Sequence, residues 1–332
     1  MSLPPPRENE QLIGHPEAEA AMLAAMRSGR MHHAWLITGP EGIGKATLAF
    51  RFARRLLAGL PDGEDLSLPA DHPVFNRVAA GTHADLLTIE REYDEKRKRL
   101  REGIIVETVR KVPDFLHLTP AEGGWRVVII DGAEQMNRNA ANALLKMLEE
   151  PPPRAILLLV CALPGRLLPT IRSRCRLLRL NPLDDDLMDR LLRTALPTST
   201  KPERQVLIAL AEGSPGRALL IAEGQGIALA QTAEQILDQL PSLDLSAAMD
   251  LADKLAAGEG AYSDFMDLLR HVVAADVRKA ARGDPTRLSG LRSPEAWVET
   301  WQAMTRLQHE TEQLNLDKRQ ALIQALGLLS AK

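Results

Sequence analysis

At 332 residues, with a formal net charge of -3 and 45% hydrophobic residues, the chain has the makings of a soluble globular protein of two or three domains. Its overall charge supplies no drive toward nucleic acid. Aromatics are scarce at 3%, and the two cysteines, Cys161 and Cys175, exclude a disulfide framework and an all-cysteine zinc site, so a reducing cytoplasm is the expected compartment. Met1–Glu10 is proline-rich and charged without an apolar signal region, and no apolar run approaches the length of a membrane span.

The first half alternates short apolar runs with amphipathic stretches, the pattern of a parallel α/β sheet. Pro16–Arg27 reads as a helix and Trp35–Thr38 as a strand. The strand runs into Gly39-Pro40-Glu41-Gly42-Ile43-Gly44-Lys45-Ala46-Thr47, which has the Gly-x4-Gly-Lys spacing of a phosphate-binding loop. In such a loop glycines let backbone N–H groups close around phosphates and the lysine reaches their outer oxygens. A helix over Ala46–Ala58 completes the strand–loop–helix context. The position after the lysine should carry a hydroxyl for Mg²⁺; here it is Ala46. Gly39, Gly42, Gly44, Lys45, Ala46 and Thr47 are therefore candidate nucleotide contacts, although a glycine-rich turn that binds nothing has the same composition.

Gly59–Pro73 is rich in Pro, Gly and Asp and reads as a loop, followed by a strand at Leu86–Ile89. Glu90–Glu102 mixes both charges, the composition of a solvated loop or helix face. A helix is expected over Val106–His117. Val127-Val128-Ile129-Ile130-Asp131 is a buried strand ending in a carboxylate, the arrangement that orients Mg²⁺ through water. Asp131 joins the candidate nucleotide residues, with the capping of a turn as its plainer role. The next residue is Gly132 where a hydrolytic enzyme carries glutamate, and the nearest acid is Glu134. Asn139–Glu149 reads as a helix stopped by prolines, Ile156–Val160 as a strand, and the neighbourhood of Gly165–Arg172 as a helix. Beyond Asn181-Pro182 only helical spacing is found, through Leu183–Leu196, Glu203–Ala211 and Pro215–Glu223. A second shift comes near Gly224-Gln225-Gly226.

Gly39–Thr47, Val127–Glu134, Asn142–Pro152 and Ser173-Arg174-Cys175, in that order, resemble the bacterial clamp-loader subunits of the AAA+ class. The string Asn-Ala-Leu-Leu-Lys-x-Leu-Glu-Glu-Pro-Pro followed by Ser-Arg-Cys is specific to that group. The resemblance covers residues 10–225 well and the remainder by helical character. It implies an AAA+ P-loop domain over 1–182, a small helical lid over 183–226 and a helical collar for oligomerisation over 227–332. It implies a role in loading the sliding clamp onto primed DNA as part of the DNA polymerase III holoenzyme, with motor (tau/gamma) and delta subunits as partners. It also makes Arg174 an arginine finger, placed by Ser173 and Cys175, that projects into the ATP site of a neighbouring motor subunit.

Departures from the motor pattern lean one way. Ala46 removes the metal hydroxyl, and Gly132 removes the catalytic glutamate. Cys161-Ala162 stands where a polar sensor is usual. Arg217 falls one residue later than the second sensor arginine, a rotation of about 100° on a helix. The expectation is a chain that does not hydrolyse ATP, its loop either empty or holding ATP without turnover. The family's four-cysteine zinc module is missing: between Gly59 and Leu86 there is no cysteine at all, and two histidines, His72 and His83, have no thiolate partner, so no zinc is expected. The competing readings are an active motor ATPase, in which Thr47 supplies a displaced hydroxyl, and a free-standing P-loop kinase or NTPase. Arg51, Arg54, Arg55 and the Lys96–Arg101 cluster form no recognised DNA-binding motif.

Overall fold

The computed structural model describes residues 4–29, 31–60, 62–94, 99–101, 103–122, 124–223, 226–258, 261–314 and 316–330. In chain order the first part comprises α1 (Pro16–Arg27), β1 (Ala34–Thr38), α2 (Lys45–Leu57), α3 (Pro73–Ala79), β2 (Leu86–Ile89), β3 (Tyr93–Asp94) and β4 (Arg99–Leu100). It continues with α4 (Val106–Val109), α5 (Lys111–His117), β5 (Arg126–Asp131), α6 (Arg138–Glu149), β6 (Ala155–Cys161), α7 (Pro169–Arg172), β7 (Arg176–Arg179) and α8 (Asp185–Ala195). Five strands form one parallel sheet in the order β2-β5-β6-β1-β7. β5 and β6 lie at the second and third positions of that order, and the apolar residues of both are buried, as expected for strands covered on both faces.

Alternation along the strands divides the core. Leu36, Val128, Ile130, Leu157 and Leu159 pack with Ala140, Leu144, Met147 and Leu148 of α6 and with Val109, Val112 and Leu116 of α4 and α5. Trp35 points the other way, its ring 6.4 Å from that of Phe52 on α2. The C-terminal ends of β1, β5 and β6 share one edge of the sheet, where the register pairs Thr38 with Cys161 and Asp131 with Val160. Ligand-binding loops of open α/β sheets gather at that edge.

Three local expectations change. The helix expected over Val106–His117 is two pieces broken at Arg110, because Pro113 has no N–H to give the carbonyl of Val109. Near Gly165–Arg172 a 3₁₀ turn, Pro164–Arg166, is separated from α7 by extended Leu167 and Leu168; Leu168 precedes Pro169, which disfavours the helical region. Residues Glu90–Glu102 include an antiparallel pair, Tyr93 opposite Leu100 and Asp94 opposite Arg99. Residues 96–98 of the basic cluster lie outside the described residues, as do Gly224 and Gln225 of the second shift.

The remaining elements are helical: α9 (Lys201–Ala211), α10 (Pro215–Glu223), α11 (Gly226–Asp238), α12 (Leu245–Ala257), α13 (Ala261–Ala281), α14 (Pro294–Leu314) and α15 (Lys318–Ser330). The chain divides into two compact units, one of Met1–Ala195 with Glu212–Arg217 and the other of Leu196–Ala211 with Ala218–Lys332. The second has its own core, in which Leu229, Ala233, Phe265, Leu269, Trp297, Met304, Leu322 and Leu326 meet.

Candidate functional site

The loop leaves β1 at Thr38 and enters α2 at Lys45 through three glycines with positive φ: Gly39 (150°), Gly42 (75°) and Gly44 (106°). All three also lack free room for a side chain, Gly44 only against the end of the Leu12 side chain at 2.7 Å. A Cβ on Gly39 would sit 2.5 Å from the Leu180 carbonyl oxygen, and one on Gly42 would sit 2.7 Å from both the Arg217 amide and the Ser214 hydroxyl. Gly42 is crowded because residues 213–217 are latched to the loop. Gly216 N donates to Gly42 O at 2.9 Å and Ser214 Oγ to Glu41 O at 2.6 Å. His15 Nε2 donates to Ile43 O at 3.0 Å.

Lys45 is buried and donates Nζ to the carbonyls of Gly39 (2.9 Å) and Pro40 (2.6 Å). Burial pulls its pKa below the usual lysine value, opposed by the carboxylates of Glu134, Asp131 and Glu41. Beside the loop lies a cavity of about 440 Å³, to which Lys45, Ala46, Thr47 and Asp131 contribute polar and loop surface and Leu12, Ile13 and Pro215 contribute apolar surface. An anion-accepting loop next to apolar walls fits the phosphates and base of a nucleotide. The fit to Mg²⁺ is poorer: the methyl of Ala46 stands where a hydroxyl would coordinate, and Thr47 lines the cavity two residues on.

Asp131, at the end of β5, has its pKa raised by burial and by the negative charge of Glu90, with Lys45 acting in the opposite sense. Gly132 follows in the left-handed region (φ 78°) and starts the turn Ala133–Gln135. That turn aims Glu134 at the end of β6, where its Oε1 accepts from Ala162 N at 3.0 Å. Desolvation first, then Glu134, pushes the Cys161 thiol up to about 12. Glu134 thus braces two strand ends through Oε1, while its Oε2 is buried without a hydrogen-bond partner and its charge acts on Lys45.

Arg174 follows α7, and the cavity beside Lys45 has none of its atoms in its lining. One guanidinium nitrogen donates to Thr170 O at 2.9 Å, and the other lies 2.8 Å from Glu149 Oε1 in an ion pair. Ser173 Oγ donates to Thr170 O at 3.2 Å. Cys175 packs against the core of the α6 face, and burial raises its thiol to about 12. The structure therefore gathers Gly39, Gly42, Gly44, Lys45, Ala46, Thr47 and Asp131 at one edge of the sheet and leaves Arg174 on a separate turn. The Nδ1 atoms of His72 and His83 accept from Val74 N (3.1 Å) and Asp85 N (3.2 Å), and His83 Nε2 is buried without a hydrogen-bond partner. Among the described residues no group of three or more His, Cys, Asp or Glu could hold a metal, and no helix is long and apolar enough to cross a membrane.

Sequence reasoning missed the parts played by four residues. Glu149 counted as the end of an apolar helix and as part of the Asn142–Pro152 string, with no partner assigned to it, although a carboxylate at a helix C-terminus is disfavoured by the dipole. Ser214 and Gly216 gave no sign of the latch. Arg54 is buried, stacks on Phe75 and donates to the carbonyls of Arg7 (3.0 Å) and Asn9 (2.5 Å); desolvation brings its pKa down to about 10. It ties the N-terminal segment down just before Leu12 and Ile13 reach the cavity.

Residues 14–184 match the family described as DNA polymerase III, delta subunit. The chain is 41% identical over 196 residues to DNA polymerase III subunit delta′ of Pseudomonas aeruginosa, covering 59% of this chain and 57% of that one. It therefore spans under two thirds of that relative's length. It is 34% identical over 262 residues to the Escherichia coli K12 delta′ subunit, covering 77% and 75% of the two chains. Against the tau subunit of the same organism it is 30% identical over 266 residues, covering 77% and 39%. Among solved structures, a gamma subunit-related protein from Thermotoga maritima aligns over 93% of this chain and 98% of its own, with 18% identity and a TM-score of 0.48. With the family matched through both the loop and the Arg174 turn, and the E. coli relative aligned over three quarters of each chain, this chain belongs to the DNA polymerase III delta-subunit family.

Proposed function

We propose that the chain is a delta′-type subunit of the DNA polymerase III clamp loader. It takes part in ATP-dependent loading of the sliding clamp onto primed DNA without hydrolysing ATP itself, and lends Arg174 to the ATP site of a neighbouring motor subunit. Residues 1–182 serve as the AAA+ P-loop domain, 183–226 as its lid and 227–332 as the collar that joins motor and delta subunits. The compartment is the cytoplasm.

The observation that carries this reading is the separation of parts. The phosphate loop has Ala46 at the metal position, and the acid that follows Gly132, Glu134, has one oxygen tied to Ala162 N. The arginine sits apart from that loop, partly exposed, on a turn. In phosphoryl transfer a guanidinium supplied in trans neutralises charge on the transferring group. An arginine outside its own nucleotide cavity suits a neighbour's site better than its own.

Three measurements test the reading. The isolated chain should release no phosphate from ATP above background, and a fluorescent ATP analogue binding at the loop should be displaced or weakened by Lys45→Ala. In a reconstituted loader, omitting the chain should abolish clamp loading onto primed DNA. ATP turnover by the isolated chain, lost in Lys45→Ala, would instead favour an active motor subunit, the reading that Thr47 in the cavity lining keeps alive.

A further inference from the structure

We infer that Glu149 is a positioning residue for Arg174, holding the guanidinium so that its remaining donors face outward; the inference rests on the arginine-finger reading. A guanidinium carries five N–H donors in a fixed fork. Here the chain itself engages one nitrogen through Thr170 O, at 2.9 Å, and the other through Glu149 Oε1, at 2.8 Å. These anchors belong to different elements, the first turn of α7 and the last residue of α6. Two anchors on separate rigid elements fix the direction of a long side chain, which one anchor cannot do, and donors remain for a phosphate oxygen outside the chain.

The placement of the acid is informative. Glu149 is the final residue of α6, before Pro151-Pro152-Pro153, where the helix dipole disfavours a carboxylate. Its side chain contributes nothing to the core of α6, which is built from Ala140, Ala141, Leu144, Met147 and Leu148. It remains about half exposed while meeting Arg174. An exposed ion pair contributes little stability of its own, so the pair does more for the geometry of Arg174 than for the fold. Restricting a group in advance of the reaction lowers the ordering cost in the transition state.

The test uses the loader reconstituted with motor and delta subunits, read by DNA-stimulated ATP turnover, and the isolated chain, read by hydrogen exchange of the Pro169–Cys175 turn. Glu149→Ala should lower turnover at the site that Arg174 serves roughly tenfold, seen as loss of most of that site's share of the loader's kcat with KM for ATP little changed, and should speed exchange of the turn. Glu149→Gln keeps an oxygen acceptor and should recover most of both. Placed in an Arg174→Ala background, Glu149→Ala should cost nothing further. An equal loss in that background would overturn the inference, since the role would then be structural. So would a rise in turnover, which would make Glu149 a competitor for the arginine. Unchanged kcat in Glu149→Ala beside a strongly impaired Arg174→Ala would overturn this inference and leave the finger standing. An Arg174→Ala loader with normal turnover would overturn both.

Discussion

At the scale of single residues, the glycines of the loop are the positions where a side chain is costly. Gly42 combines a φ of 75° with a Cβ position 2.7 Å from Ser214 Oγ and Arg217 N. Gly42→Ala should cost about 2 kcal/mol in urea unfolding. Gly165→Ala, with negative φ and open space at the Cβ, should be close to neutral. Asp131 makes a pH-dependent prediction. Its folded pKa lies above the ordinary 3.8 because of burial and Glu90, so between those two values the folded state binds more protons than the unfolded one. Stability therefore falls as pH rises through that window and stays lower above it. Asp131→Asn should raise Tm at neutral pH, by about 2 °C, and the gain should shrink as pH falls through the raised value toward 3.8. A gain that is constant with pH would contradict this.

The residues of this site were legible to unequal degrees. Gly39, Gly44, Lys45 and Asp131 declare themselves by spacing, because a phosphate loop needs fixed residue types at fixed intervals. The brace from Glu134 to Ala162 was hidden, since whether an acid two residues past Gly132 stands free or turns back depends on a three-residue turn. The partnership of Glu149 with Arg174 joins positions 25 apart in sequence, and local pattern carries no record of it.

At the scale of elements, buried strands and capped helices announce themselves. β5 and β6 are apolar runs because both faces are covered, and they are found within a residue or two of the expected bounds. α6 begins at Asn137, whose Oδ1 accepts from Ala140 N at 2.8 Å, and ends before a run of prolines. Asn137→Ala should cost about 1 kcal/mol through the lost cap. Leu144→Ala, at a fully buried position facing the sheet, should cost about 3 kcal/mol. Both are measurable by denaturant midpoints with an unchanged slope. β7 escaped the sequence for a physical reason. It is the edge strand beside β1, and Arg176, Leu177 and Arg179 are all exposed, so it shows neither an apolar run nor alternation. α3 was hidden in the same way: its start depends on His72 accepting from Val74 N, and histidine is not among the usual caps.

At the scale of the whole molecule, the first unit carries both a phosphate loop and an outward-placed arginine, and the second is a helical body with a core of its own. On the function proposed above, Arg174 completes a neighbour's ATP site while the chain's own loop carries Ala46 at the metal position. The division of labour is testable because the two sites can be altered separately. The most direct measurement is DNA-stimulated ATP turnover by a loader reconstituted with motor and delta subunits, comparing the wild-type chain with Arg174→Ala and Lys45→Ala. The account predicts a fall on the order of a thousandfold at the site that Arg174 serves, seen as loss of that site's share of turnover, with Lys45→Ala near wild type. Full turnover with Arg174→Ala, or a loss with Lys45→Ala alone, would contradict it.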